Sequence, residues 1–225
     1  MIKENLSAIK SNLPESVGLV AVSKFHPSED LKEAYEAGQR AFGENRVQEM
    51  VAKAEELREV CPEIEWHFIG TLQRNKVKYI VPFVSIIESV SSIKLLNEIE
   101  KQAAKVDRRI DILLEAHVTD EESKTGFDVD ELMEAARLIA TTDDYPHIRV
   151  CGVMGMATLT EDEHRIRQDF IHIRKIYEEL KESLFKDKDY FRQISMGMSG
   201  DYKLAIEEGS TSVRIGTAIF GPRVY

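Results

Sequence analysis

The chain has 225 residues, with 30 Lys and Arg against 40 Asp and Glu, a formal net charge of −10. Its 43% hydrophobic and 31% charged content is that of a folded soluble protein, not a disordered one, and the acidic excess argues against a nucleic-acid partner, which needs a basic footprint. The two cysteines, Cys61 and Cys151, are far apart, charges begin too early for a signal peptide, and no apolar run approaches the roughly 20 residues of a membrane span, so a cytoplasmic protein with reduced thiols is expected.

In chain order, residues 2–11 have the spacing of a helix that precedes the first strand. The β-branched run Gly18-Leu19-Val20-Ala21-Val22 is too short for a helix and reads as a strand. Pro27 and Ser28 start, and Gly38 stops, a helix over residues 29–38. Residues 40–42 make a second short strand, and residues 44–60 a long charged helix ended near Pro62. The alternation then repeats: strand 64–69 and helix 72–79, strand 84–88 and helix 92–105, strand 109–117 and helix 129–140. Strand 148–153 leads into a long amphipathic helix over 161–184. Residues 191–195 form the seventh strand, followed by a short helix over 202–208 closed by Gly209, and residues 211–215 form the eighth.

Strands that alternate with helices imply a parallel sheet, and eight such units suggest an α/β fold, a closed (β/α)8 TIM barrel of typically about 250 residues. Little chain follows the last strand, so the opening helix is expected to cover that gap. An open doubly wound sheet is the alternative. No linker or low-complexity tract interrupts the pattern, and residues 1–225 read as one domain.

In a barrel the functional face lies at the C-terminal ends of the strands, which here carry Lys24, Asn45, His67, Glu88, His117, Met154, Ser195 and Arg214. By alternation Lys24 shares a side with Val20 and Val22. If that side is the barrel interior, desolvation pulls the amine toward the neutral form that Schiff-base chemistry requires; otherwise the lysine snorkels into water. After strand seven, Ser195-Met196-Gly197-Met198-Ser199-Gly200-Asp201 has small residues that let backbone N–H groups reach an anion, with the Ser199 hydroxyl beside them. The plainer reading is a turn with Ser199 or Asp201 as an N-cap. Arg214-Ile215-Gly216-Thr217 ends strand eight, where Gly216 permits close backbone approach and Thr217 supplies a donor. Barrels often bind phosphate with the loops after strands seven and eight, so the two segments together point to a phosphate site.

Other signals carry less. Ser7-Ala8-Ile9-Lys10 and Lys124-Thr125-Gly126 match parts of a penicillin-binding pattern, but the S-D-N between them is absent. The histidines show no metal-ligand spacing, and His164 and His172 read as a solvated helix edge. The acidic pairs at residues 55–56, 121–122 and 178–179 read as solvent faces, and Trp66 and Phe68 as packing against helices.

Taken in order, Ala21-Val22-Ser23-Lys24, Phe42-Gly43-Glu44-Asn45, His67-Phe68-Ile69-Gly70 with Leu72-Gln73 and Asn75-Lys76, Glu121-Glu122-Ser123-Lys124, Gly152-Val153-Met154-Gly155-Met156, and residues 195–199 and 214–221 resemble the pyridoxal 5′-phosphate homeostasis proteins, relatives of the barrel domain of alanine racemase. The resemblance implies that Lys24 holds pyridoxal phosphate as a Schiff base. It also implies that Ser199, Gly200, Gly216 and Thr217 hold the phosphate, with Arg214 near the pyridine nitrogen and Asn45 and Met154 beside the ring. The implied role is a cofactor-binding protein of vitamin B6 homeostasis, without strong catalytic turnover, that passes the cofactor to dependent apo-enzymes. The family usually has Val-Asn where Ala116-His117 stand here, so the asparagine's role is not carried to His117.

A permanently cationic Arg214 disfavours a proton on the ring nitrogen and so weakens carbanion chemistry. Racemisation also needs a second acid or base opposite Lys24; His67, His117 and Tyr202 are the candidates by type alone. The chain has no room for a racemase's second domain, and a monomer is expected. The rival readings are a single-domain pyridoxal-phosphate-dependent amino-acid racemase on the same Lys24, and a barrel enzyme acting on a phosphate substrate without a cofactor.

Overall fold

In a computed structural model, the alternating apolar runs form eight strands: β1 (Gly18–Val22), β2 (Ala41–Glu44), β3 (Glu65–Phe68), β4 (Ile86–Val90), β5 (Ile110–Ala116), β6 (Ile148–Gly155), β7 (Gln193–Met198) and β8 (Ser212–Ile215). All neighbouring pairs are parallel, and the sheet closes in chain order when β8 pairs with β1, Leu19 opposite Val213 and Ala21 opposite Ile215. Around this TIM barrel run α1 (Ile2–Ser11), α2 (Ser28–Glu36), α3 (Val47–Leu57), α4 (Val77–Ile80), α5 (Ile93–Lys105), α6 (Val129–Thr141), α7 (Glu163–Ser183), α8 (Tyr202–Glu207) and α9 (Thr217–Phe220). The description covers residues 1–119 and 125–222; the acidic pair at 121–122, the Glu-Glu-Ser-Lys block and Lys124 lie outside it.

Period-two alternation divides each strand between two environments. Leu19, Ala21, Phe42, Phe68, Ile112, Leu114, Val213 and Ile215 belong to the large core between barrel and helices, and Trp66 packs there too. Each of the large side chains buried there contributes about 1.5–3 kcal/mol. A separate cluster of Ile86, Leu113, Cys151 and Met154 forms the apolar part of the interior. Helix starts are fixed by side-chain caps: Ser92 Oγ accepts from Leu95 N–H, Asp128 from Glu131 N–H, and Asp162 from His164 and Arg165 N–H, each worth about 1 kcal/mol.

Helix α1 covers the seam between β8 and β1, as expected; Ile2 and Leu6 are buried and Asn5 Nδ2 donates to Ile219 O at 3.0 Å. That contact reaches α9, a short helix that sequence reasoning did not anticipate. Strand β4 begins two residues later than expected, because Val84 N–H bonds Ile80 O (2.8 Å) and is spent closing the turn after α4. Phe191 is likewise outside β7, stacked on Phe185 and Tyr177. Residues 72–79, expected as one helix, form a 3-10 turn at Arg74–Lys76 followed by the single turn of α4. His164, His172 and the acidic pairs at 55–56 and 178–179 are exposed. No helix among the described residues is long and apolar enough to cross a membrane.

Candidate functional site

Since residues 20, 22 and 24 fall on one side of β1 and its continuation, Lys24 leaves the strand on the inner side, half-buried, at the C-terminal mouth of the barrel. The mouth holds a cavity of about 410 Å³. Of the eight residues that the family resemblance assigns to the cofactor, seven line it: Lys24, Asn45, Ser199, Gly200, Arg214, Gly216 and Thr217. They come from β1, β2, β7 and β8, and only closure of the barrel brings them together. Gly216 makes the β8 side of this wall feasible, because a Cβ there would lie 3.0 Å from Val22 O.

Met154 is placed differently. It is buried one layer below, in the cluster with Ile86, Leu113 and Cys151, and Met156, two residues on, lines the cavity instead. His26, Glu115 and Thr125 also line it; nothing in the sequence pattern singled out His26 or Glu115, and Thr125 was met only in the discounted Lys124-Thr125-Gly126 match. Of the acid–base candidates, His67 faces a separate cavity of about 640 Å³ at the opposite end of the barrel. Tyr202 is in the outer core. His117 is not on the cavity wall, and its buried Nε2 has no hydrogen-bond partner.

Beneath the cavity a polar chain runs through the barrel. His67 Nδ1 and Glu88 Oε1 are 2.6 Å apart, and Ser195 Oγ donates to Glu88 Oε2 at 2.6 Å. Arg214 Nη1 donates to Ser195 O (2.8 Å) and Oγ (2.5 Å), and its Nη2 to Gly155 O (3.0 Å). Burial alone would raise the Glu88 carboxyl, but the bond to His67 and the nearby Arg214 and Ser195 hold it below the ordinary carboxylate range. Burial pulls the Arg214 guanidinium down against the opposing pull of Glu88, Glu115 and Asp201; it stays charged at any working pH. Glu115, accepting from Thr125 Oγ1 at 3.0 Å, is pushed up by burial.

The backbone carrying Lys24 is held from α3. Phe25 has φ +67°, a left-handed conformation that costs a non-glycine residue about 1–3 kcal/mol. Its N–H donates to Glu49 Oε1 at 2.6 Å, and its ring lies under the Arg46 guanidinium, 4.7 Å to the centroid. Buried Lys53 donates to Ser23 O (2.8 Å), Glu44 Oε1 (2.7 Å) and Glu49 Oε1 (2.7 Å). The preceding carbonyl and the following amide are therefore both clamped, and Lys24 is presented from a rigid turn.

Two buried acceptors on the cavity wall, Asn45 Oδ1 and Glu115 Oε2, make no hydrogen bond. Unsatisfied buried polar atoms are costly, about 1–3 kcal/mol each, and a polar ligand would complete them. An amine on one side, the hydroxyl-bearing loops after β7 and β8 on another and a guanidinium at the floor suit a small phosphorylated aldehyde. The chain's own groups fit such a cofactor.

Residues 1–224 match the family described as alanine racemase, N-terminal domain. A pyridoxal phosphate homeostasis protein of Pasteurella multocida is 37% identical over 234 residues, covering 100% of this chain and 98% of that one. The protein of the same name from Aquifex aeolicus is 40% identical over 210 residues, covering 92% and 87%. Among solved structures, PipY of Synechococcus elongatus PCC7942 with PLP bound gives a TM-score of 0.90 at 35% identity, covering 98% of this chain and 100% of that one.

Proposed function

The chain belongs to the alanine racemase N-terminal domain family, and on that premise we propose that it is a pyridoxal 5′-phosphate-binding protein of vitamin B6 homeostasis, not a turnover enzyme. The observation that carries this reading is the convergence of Lys24, Arg214 and the loops after β7 and β8 on one cavity. The curated relatives described above bear a homeostasis name, and the PipY structure was solved with PLP bound.

When bound, the cofactor supplies an aldehyde that a primary amine can take covalently and reversibly. Lys24 is that amine in this reading. Ser199 and Thr217 offer hydroxyl donors to the phosphate, and Gly200 and Gly216 leave room for backbone approach. Asn45 and Met156, both on the cavity wall, would hold the ring, and Met154 would support that wall through the cluster against which Met156 packs. Arg214 donates from the cavity floor, and because it keeps its charge, a ring nitrogen facing it is held as an acceptor. That suppresses the protonated-ring chemistry a racemase depends on. The reading extends to residues 1–225 acting as one cytoplasmic domain and a monomer that passes the cofactor to apo-enzymes.

The test is direct. Protein incubated with pyridoxal phosphate should turn yellow, and borohydride should fix the label on Lys24 by peptide mapping, with none fixed in Lys24→Ala. A colourless wild type, or label mapped elsewhere, overturns the proposal. α-Proton exchange of L-alanine in deuterated water at enzymatic rates would transfer the assignment to the racemase reading.

A further inference from the structure

Attachment of an aldehyde to an amine is a proton-transfer problem. The nitrogen of Lys24 bonds to the aldehyde carbon, the C=O bond breaks, and the oxygen leaves as water carrying the two hydrogens lost from the nitrogen. Reversal consumes the same water. Moving hydrogens from nitrogen to oxygen is slow without a group that can accept one proton and give another, and imidazole is the side chain best suited to this near neutral pH.

Among the described residues, His26 is the histidine on the cavity wall. It is buried, 6% exposed, and lies two residues beyond Lys24. Its ring is fixed from two directions. Nδ1 lies 3.2 Å from Asp30 Oδ2, one helical turn on along the start of α2, and the ring packs against Phe220 of α9 with centroids 5.0 Å apart. A carboxylate on Nδ1 selects the tautomer and leaves Nε2 as the nitrogen that can exchange a proton. Between the two side chains stands Phe25, whose left-handed φ of +67° is braced by Glu49, while Lys53 grips Ser23 just before them. The strained turn thus presents an amine and an oriented imidazole to the same cavity.

We propose that His26, oriented by Asp30, is the proton-transfer residue for attachment and release of an aldehyde at Lys24. This rests on the cofactor-binding reading above. A group that only moves protons accelerates both directions equally. It therefore sets how quickly the aldehyde is taken up and surrendered without setting how much is held, and these two quantities separate it from a residue that shapes the pocket.

His26→Asn places an amide nitrogen near the position of Nδ1, so the contact with Asp30 is kept and Nε2 is removed. Wild type and variant are mixed with pyridoxal phosphate and quenched with borohydride at increasing times, and the adduct on Lys24 is counted by mass spectrometry. Release is followed in the same way after dilution of the loaded protein. The expected result is a fall of roughly 100-fold or more in both rates, an equilibrium extent within about twofold of wild type, and restoration of rate by added imidazole in His26→Gly. Asp30→Asn, which keeps the imidazole but loosens its tautomer, should slow uptake by a smaller factor. Unchanged rates in His26→Asn overturn the inference, as does an equilibrium extent that falls in step with the rate, or a failure of imidazole to restore His26→Gly when that variant still binds. If wild type takes up no aldehyde at all, the cofactor-binding reading is what has failed, and the role of His26 falls with it.

Discussion

Replacing Lys53 by Met removes one ammonium while keeping the unbranched stem that packs in α3. Three acceptors each lose one of two donors: Ser23 O keeps His26 N–H, Glu44 Oε1 keeps Ser23 Oγ and Glu49 Oε1 keeps Phe25 N–H, but the only cation among the donors is gone. The side chains of Lys53 and Glu44 are 7% and 0% exposed, so water cannot replace the lost charge. Glu44 already has one orphan, Oε2. Leaving a buried carboxylate without its cation costs about 3–5 kcal/mol, which in a chain of this size is a fall in Tm of roughly 6–20 °C. Burial raises the Glu44 carboxyl above its ordinary 4.5, and Lys53 and Ser23 work against that rise; without Lys53 the rise is larger. A raised folded-state value means stability that is present below the ordinary value and lost as pH climbs through the folded one. The defect should therefore be smallest near pH 4.5 and grow toward neutrality. Urea unfolding across that range, on Lys53→Met and on Lys53→Met with Glu44→Gln, measures it, and the double variant should recover at least half of the loss. A single variant within about 1 kcal/mol of wild type at pH 7, or a double variant no better than the single, would refute the reasoning.

Burial pushes the Cys151 thiol up to about 12, and Cys61 is also raised by burial. Neither thiol should react with Ellman's reagent at pH 8 until the protein is unfolded; fast native labelling of either would contradict their burial. Gly152→Ala would put a Cβ 1.8 Å from Gln193 O, a backbone atom that cannot swing aside. The expected loss is about 3 kcal/mol or more, visible as a lower urea midpoint, and an unchanged midpoint would mean that the irregularity in β6 relaxes freely.

How far the sequence could be read depended on what each feature rests on. Alternation put Lys24 on the side of Val20 and Val22, because a strand's period is set by the backbone itself, but which side is the interior depends on barrel closure and was left open until Val22 and Lys24 were seen to line one cavity. The segments after β7 and β8 drew notice only as a pair: each alone reads as a turn, and Asp201 does close one by accepting from Met198 N–H at 2.6 Å, yet residues of both line the cavity. Met154 and Met156 could not be told apart by depth, since both lie on the inner side and the irregularity at Gly152 is a tertiary matter. His26 gave no signal: its place on the wall depends on Phe25 adopting a conformation that nothing in its chemistry favours. Lys53 was hidden for the same kind of reason, a buried cation in a helix whose neighbours Glu55 and Glu56 are exposed. The start of β4 was misplaced because Val84 suits a strand equally well as the turn it closes.

The joint between β8 and β1 has a consequence for manufacture. One strand delivers the lysine, the other the arginine and glycine, and a ribosome releases the second only after the other seven strands have emerged. Until then β1 is a raw sheet margin, open to pairing with any other extended chain. Pairing of β8 with β1 therefore does two jobs at once: it retires an aggregation hazard and completes the cavity wall, and a polypeptide halted short of Ser212 would have neither.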